Sequence, residues 1–267
     1  MPENAIFNTG IFREDHIPIL RDSFDNAAPF RHLVIDGFLQ TSFAEKIFQY
    51  FPSLLSMKTH YTGMNERKAE DTNFEILDKN FTLLHEAMCS ELFLNWLESI
   101  TSIHPIRTID DRLGYGLHQG GNRSFLDIHI DYNIHPIQKL CRRLNLLIFF
   151  NPQWKAEWGG NLEFWDSSVK NCLQKIAPQF NRAVLFECSE ISFHGYSRMT
   201  IPEAITRKSY YQYYFTPITE NSPFHDTLFK PRPEDSLIKK IIVPAKEYLK
   251  NSAKKILLSL GFEKFLK

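Results

Sequence analysis

The run Asp127-Ile128-His129-Ile130-Asp131 decides how the rest of the chain is read. Extended as a strand, it points alternate side chains the same way, so His129 and Asp131 share one face while Ile128 and Ile130 turn to the other. Two potential metal ligands then stand side by side. Further along come Ile191-Ser192-Phe193-His194-Gly195 and then Arg207-Lys208-Ser209, which opens an aromatic strand ending near Phe215.

Two imidazoles and one carboxylate on one side of a metal leave its other positions open, the facial arrangement of non-haem Fe(II) oxygenases. A cation further on can hold the far end of a dicarboxylate cosubstrate. His-x-Asp alone is weak. Its weight comes from the ordered set of His129, Asp131, a distant His194 after an apolar strand, and a basic residue opening the next strand.

Around these residues the pattern is β. Strands are expected over Arg112–Gln119, Phe125–Asp131, Arg142–Asn151, a stretch following the Trp158-Gly159-Gly160 turn, Arg182–Cys188 and Arg207–Thr216. Arg142–Asn151 is apolar enough for burial on both faces, and its leading Arg142-Arg143 pair reads as a solvated strand start. Short strands between glycine and proline turns suit a small jelly roll with one open mouth.

Upstream, Phe30–Gly37 reads as a strand, and a helix starts at Thr41, capped by Thr41 or Ser42, with Phe43, Ile47, Phe48 and Phe51 at helical spacing before Pro52. Lys58–Asn73 is polar and reads as a loop over the site. Helices over Phe81–Glu91 and Leu92–Ile100 complete a helical layer outside one sheet, so the fold class is mainly β with flanking helices, α+β. Beyond Pro217, Ser236–Gly261 reads as an amphipathic helix pair broken at Pro244, with Leu237, Ile241, Leu249, Ile256 and Leu260 on one stripe and lysines opposite. It is expected to pack on the domain, or, in the sharper reading, to contact a partner or membrane surface. The resulting division is 1–106 as a helical and strand lead-in, 107–217 as the β core and 218–267 as a helical extension.

Composition narrows the classes. The 267 residues hold 31 Lys+Arg against 31 Asp+Glu, so nothing global argues for a nucleic-acid partner. Cys89, Cys141, Cys172 and Cys188 lack Cys-x-x-Cys spacing and read as reduced thiols. The first residues lack the pattern of a leader, and no apolar run reaches membrane-spanning length, so a cytoplasmic chain without a transmembrane segment is expected.

The ordered motifs resemble those of the 2-oxoglutarate- and Fe(II)-dependent oxygenases, in particular the prolyl 4-hydroxylase-like group. They are His129-Ile130-Asp131, the run Arg142 to Pro152, Trp158-Gly159-Gly160, Asn181-Arg182-Ala183-Val184-Leu185-Phe186, His194-Gly195 and Arg207-Lys208-Ser209. The resemblance implies a double-stranded β-helix (jelly roll) in which His129, Asp131 and His194 hold Fe(II). It also implies 2-oxoglutarate and O2 as cosubstrates, ascorbate as an accessory, and release of succinate and CO2 as a C–H bond of a peptidyl, for example prolyl, or small-molecule substrate is hydroxylated. Arg207 matches the cation on the cosubstrate's 5-carboxylate, with Lys208 as its rival. Ser209 adds a hydrogen bond, and Asn145 or Tyr213 takes over a contact that many relatives make with a tyrosine where Phe149 stands. Tyr211 joins Tyr213 on the pocket face, while His118 and His135 are expected beside the site rather than on the metal. Two other classes compete: a non-catalytic β-helix module docking on a partner, and a zinc hydrolase, which lacks an evident general base.

Overall fold

The computed structural model describes residues 6–135, 137–218 and 224–259, with side chains to residue 254. Its strands are β1 (His32–Asp36), β2 (Thr59–Thr62), β3 (Glu66–Asp71), β4 (Tyr115–Gly120), β5 (Phe125–Ile130), β6 (Leu140–Phe149), β7 (Leu162–Trp165), β8 (Cys172–Ile176), β9 (Arg182–Glu187), β10 (His194–Tyr196), β11 (Arg207–Pro217) and β12 (Leu228–Phe229). The α-helices are α1 (Ile17–Asp25), α2 (Thr41–Gln49), α3 (Lys79–Met88), α4 (Glu91–Thr101) and α5 (Leu237–Ser259). The strands make one curled antiparallel sheet in the order β1-β9-β6-β11-β4-β3-β5-β10-β7-β8, with β2 added to β3 and β12 to β5. This is the expected jelly roll with helices against one face.

The two-residue period of the central strands sorts their side chains between the two faces. On β6, Leu144, Leu146 and Ile148 join Tyr210 and Tyr214 of β11 in a cluster shared with Phe81 and Leu84 of α3 and Phe93 and Leu97 of α4. The alternate residues Leu147, Phe149 and Tyr211 enter a second cluster with Val184 and Phe186 of β9. Each fully buried side chain of this size contributes about 1.5–3 kcal/mol, so β6, apolar on both faces, ties the helical layer to the interior of the curl. The helices are fixed at their starts: the Asp78 carboxylate accepts from Asn80 N–H at 2.9 Å and the Ser90 hydroxyl from Phe93 N–H at 3.3 Å. α2 departs from expectation. Its N-cap is Gln40, with no side-chain cap bond, so neither Thr41 nor Ser42 caps it.

Three further readings are corrected. Lys58–Asn73 is a hairpin, β2 paired with β3, and β3 is hydrogen-bonded to both β4 and β5. A strand this polar is stable because its backbone bonds are satisfied on both sides while its charged face borders the open mouth rather than the core. Arg142 is not solvated: it is fully buried at the start of β6, whereas Arg143 pairs with Glu187 at 2.9 Å. The C-terminal extension is one helix that runs through Pro244, not a pair. Its expected stripe does not pack on the domain: Leu237, Ile241 and Leu249 are exposed, while Val243, Glu247 and Asn251 are buried. The side chain of Ile256 and residue Leu260 lie outside the described residues.

Charged contacts hold α5 alongside buried Val243. Lys239 reaches Asp127 at 2.7 Å, and Lys254 reaches Asp226 at 2.7 Å. Burial pushes the Asp127 carboxyl upward and the Lys239 ammonium pulls it back. No helix among the described residues is long and apolar enough to cross a membrane.

Candidate active site

The antiparallel pairing of β5 with β10 sets His129 directly opposite His194. Gly195 permits that approach, since a Cβ there would meet the carbonyl oxygens of Leu126 and Asp127 at 2.6 and 2.8 Å. The two imidazole rings lie 4.3 Å apart. Asp131, just past the end of β5, completes the group: one oxygen is 3.6 Å from His129 Nε2 and the other 3.7 Å from His194 Nε2. One ligand atom from each of the three residues lies within 4.8 Å of the others, a spacing that can hold a metal ion.

The nitrogens facing away from this point are also fixed. His129 Nδ1 lies 2.9 Å from the carbonyl oxygen of Asp127, and His194 Nδ1 lies 2.9 Å from that of Ser192. A carbonyl only accepts, so each Nδ1 carries a proton and each Nε2 is the nitrogen turned toward the common point, the orientation of a metal-binding histidine. Burial, and then neighbouring His129, pull the His194 imidazole down to about 4, so it stays neutral. Burial pushes the Asp131 carboxyl up, but Arg142 and the two histidines outweigh this and hold it well below the usual carboxylate range. Two imidazoles and one carboxylate form a donor set suited to Fe(II).

Arg142 is the residue that sequence reasoning missed. Its guanidinium is stacked between the rings of Tyr132 and Tyr213, at 3.7 and 3.6 Å, and Nη1 lies 3.1 Å from Asp131 Oδ2. Asn145 donates to the same oxygen at 3.2 Å. The signal available was the charge at the head of an otherwise apolar strand, a pattern that serves equally for a solvated end.

At the other end of a cavity of about 310 Å³, Arg207 presents a guanidinium that no carboxylate among the described residues pairs. Its Nε donates to the Gly160 carbonyl at 2.8 Å, and its plane lies 4.4 Å from the Tyr196 ring and 4.8 Å from the Phe149 ring. Burial pulls it down to about 10, against the opposing pull of Tyr196. A buried cation of this kind that opens into a cavity fits a carboxylate ligand. Gly160 and Gly159 have φ of +69° and +70°, which accounts for the glycine pair in the turn that aims this carbonyl. Phe149 packs on the arginine.

Ser209, Tyr211 and Tyr213 follow Arg207 on the cavity face of β11, and Asn145 and Leu147 face them from β6. Lys208 points to the other side, over the Phe48 and Phe51 rings, so of the two basic residues Arg207 is the one that lines the cavity. His118 lines the cavity, stacked on Tyr211 at 4.2 Å, whereas His135 is fully buried away from it, beside Asp111 at 3.0 Å. Burial, then Lys68 and Arg207, hold His118 well below the usual imidazole range. The rim comes from the Lys58–Asn73 segment, which lies over the site as expected but as a hairpin rather than a loop, and from the C-terminal extension, which was not expected there. Glu66, Lys68 and Glu70 alternate along β3 onto the mouth, and Glu70 accepts from Tyr211 and, at 2.9 Å, from Tyr61. Thr227 and Phe229 come from the C-terminal extension, with the Phe229 ring 5.3 Å from that of His129.

Residues 115–215 match the family model of the 2OG-Fe(II) oxygenase superfamily. Among characterised sequences, the chain is 26% identical over 210 residues to the prolyl 3-hydroxylase OGFOD1 of Mus musculus, covering 76% of this chain and 35% of the relative. The Xenopus laevis protein of that name is 25% identical over 179 residues, covering 65% and 33% respectively. The chain thus spans about a third of the length of these relatives. Among solved structures, the prolyl hydroxylase from Trichoplax adhaerens, in complex with a hypoxia inducible factor peptide fragment, superposes with a TM-score of 0.54 at 16% identity. That match covers 76% of this chain and 91% of the other. A prolyl-4-hydroxylase from Pseudomonas putida gives a TM-score of 0.53 at 12% identity, covering 75% and 100%. These similarities establish the fold.

Proposed function

We propose that the chain is a member of the 2OG-Fe(II) oxygenase superfamily, whose family model matches residues 115–215, and that it is an Fe(II)- and 2-oxoglutarate-dependent dioxygenase that hydroxylates a prolyl residue of a peptide. The observation that carries the reading is the convergence of His129, Asp131 and His194 at one end of a cavity whose other end holds Arg207, which no carboxylate among the described residues pairs. The names of the relatives supply the prolyl substrate class.

When bound at the three ligands, iron activates O2 at the expense of 2-oxoglutarate, which leaves as succinate and CO2. The chain's own groups bind, orient and exclude. His194 arrives neutral with its proton on Nδ1, so metal uptake need not displace a proton from that ring. Arg142 and Asn145 hold one Asp131 oxygen, which limits rotation of the carboxylate and leaves the other free for the metal. Arg207 takes the 5-carboxylate through the side of its guanidinium not committed to Gly160, and Ser209, two residues along the same face, adds a hydroxyl donor. Asn145 and Tyr213 border the near end of the cosubstrate. Leu147, Leu162 and Tyr196 form an apolar wall that keeps water from the cosubstrate. The mouth between β3 and β12 is left for the peptide.

The test is succinate release by the purified chain with Fe(II), 2-oxoglutarate and ascorbate, alone and with proline-containing peptides. Release is expected, peptides should stimulate it, and His129→Ala, Asp131→Ala or His194→Ala should abolish it. An intact, iron-loaded chain that releases no succinate under any of these conditions would overturn the reading. Failure to bind metal or cosubstrate would point instead to a non-catalytic binding module.

A further inference from the structure

The C-terminal extension crosses behind both strands that carry the histidines. Asp127 precedes His129 on β5 and supplies the carbonyl that fixes its Nδ1 proton. Glu163 lies on β7, paired with Gly195 next to His194, and faces away from the interior side chains Leu162 and Phe164. Both acids are buried, with 2% and 3% exposure. Among the described residues, every cation that reaches them comes from the extension. Arg232 Nη1 lies 2.6 Å from Glu163, Arg232 Nε lies 3.8 Å from Asp127, and Lys239 lies 2.7 Å from Asp127. Arg232 and Lys239 are themselves tied to Asp235, which accepts from Arg232 N–H at 2.7 Å and lies 3.0 Å from Lys239. From the same segment, β12 pairs Phe229 with His129 across the edge of β5.

We propose that residues 224–239 form a clamp whose buried ion pairs, Arg232 with Glu163 and Lys239 with Asp127, set the spacing of the β5 and β10 histidines for metal. The inference rests on the functional reading above. The physical reason is that a buried carboxylate without a partner draws in water or shifts until it finds one. Here either movement displaces a strand that carries a ligand, and a three-ligand site tolerates little displacement. Arg232 and Lys239 touch neither metal nor substrate, so they are positioning residues. Losing partners outside the ligands themselves costs metal sites about 10–100-fold in affinity.

Co(II) titration of the full chain tests this, because the visible spectrum of cobalt reports its ligand set as well as its affinity. Arg232→Gln should weaken Co(II) binding about tenfold or more and alter the spectrum. The double variant Glu163→Gln/Arg232→Gln, which leaves no buried charge unpaired, should recover most of the lost affinity. Lys239→Gln, at a more accessible position, provides a second single variant if Arg232→Gln does not fold, and should weaken binding severalfold. Folded variants that bind Co(II) with unchanged affinity and spectrum, whatever their melting temperature, would overturn the clamp while leaving the proposed function intact. A wild-type chain that binds no Co(II) would instead overturn the functional reading on which the clamp rests.

Discussion

Replacing Arg207 by methionine should make the cosubstrate-free chain no less stable while nearly abolishing 2-oxoglutarate binding. The guanidinium is buried and pulled down to about 10 by desolvation. At about 1.4 kcal/mol per pKa unit, holding that charge in place costs on the order of 3 kcal/mol. Its contacts with Phe149 and Tyr196 return part of this, about 0.5–2 kcal/mol each. Methionine has similar bulk and carries no charge to desolvate, so the free protein should be neutral or up to about 2 kcal/mol more stable. With ligand the sign reverses. Losing one partner of a desolvated, bidentate charge pair costs about 2–5 kcal/mol, or roughly 30-fold to several thousand-fold in Kd. Lysine should restore only part of that, because a point charge lacks the fork and cannot keep the Gly160 bond in the same geometry. The assay is calorimetric titration of 2-oxoglutarate into Mn(II)-loaded protein, paired with urea denaturation of the ligand-free chain. Wild-type affinity in the methionine variant, or a loss of more than about 2 kcal/mol of ligand-free stability by the range above, would refute the assignment of Arg207 as a cation waiting for an anion.

Three other outcomes follow from the same geometry. Gly160→Ala puts a Cβ at φ +69° and 2.5 Å from Met199 Sδ, so it should cost about 1–3 kcal/mol, lower Tm and weaken 2-oxoglutarate binding by moving the carbonyl that aims Arg207. A variant with unchanged Tm and Kd would contradict this. Arg142→Met leaves Asp131 buried without its cation, a loss of about 3–5 kcal/mol in the metal-free chain. Because a bound divalent ion replaces the missing charge, Mn(II) should raise Tm more in this variant than in wild type, and an equal rise would count against the pairing. The third concerns acid. His194 titrates near 6.5 when unfolded and about 4 when folded, so below pH 6.5 the unfolded chain binds more protons. Stability is therefore complete above pH 6.5 and falls as the pH drops toward 4. From this group alone the metal-free chain should lose on the order of 2 kcal/mol between pH 7.5 and 5, measured by urea midpoints. Buried His32, also lowered by desolvation, adds to the loss, and a flat profile over that range would refute the burial argument.

Much of this site is legible before any coordinates, for a simple reason. Where a strand is the local structure, side chains alternate with period two, so His129 with Asp131, and Arg207 with Ser209, Tyr211 and Tyr213, must share faces. The apolar runs at Leu144–Phe150 and Ala183–Phe186 mark the strands that are buried on both sides, and the glycine pair before β7 marks a turn that requires positive φ. Alternation says nothing about what lies opposite a face. That His129 meets His194 depends on the register of β5 against β10, a long-range pairing. Arg142 looks like any charged strand end until Asp131, Tyr132 and Tyr213 close around it. The polar β2–β3 segment looks like a loop because local composition does not reveal that β4 and β5 satisfy its backbone. The lysines of α5 read only as the side opposite an apolar stripe, yet Lys239 meets Asp127 on the body and Lys254 meets Asp226 within the extension, and the apolar stripe is the side left exposed. Local alternation sets which groups can share a surface; which surfaces come to face each other follows only from folding, because desolvation and charge pairing depend on neighbours that are far apart along the chain.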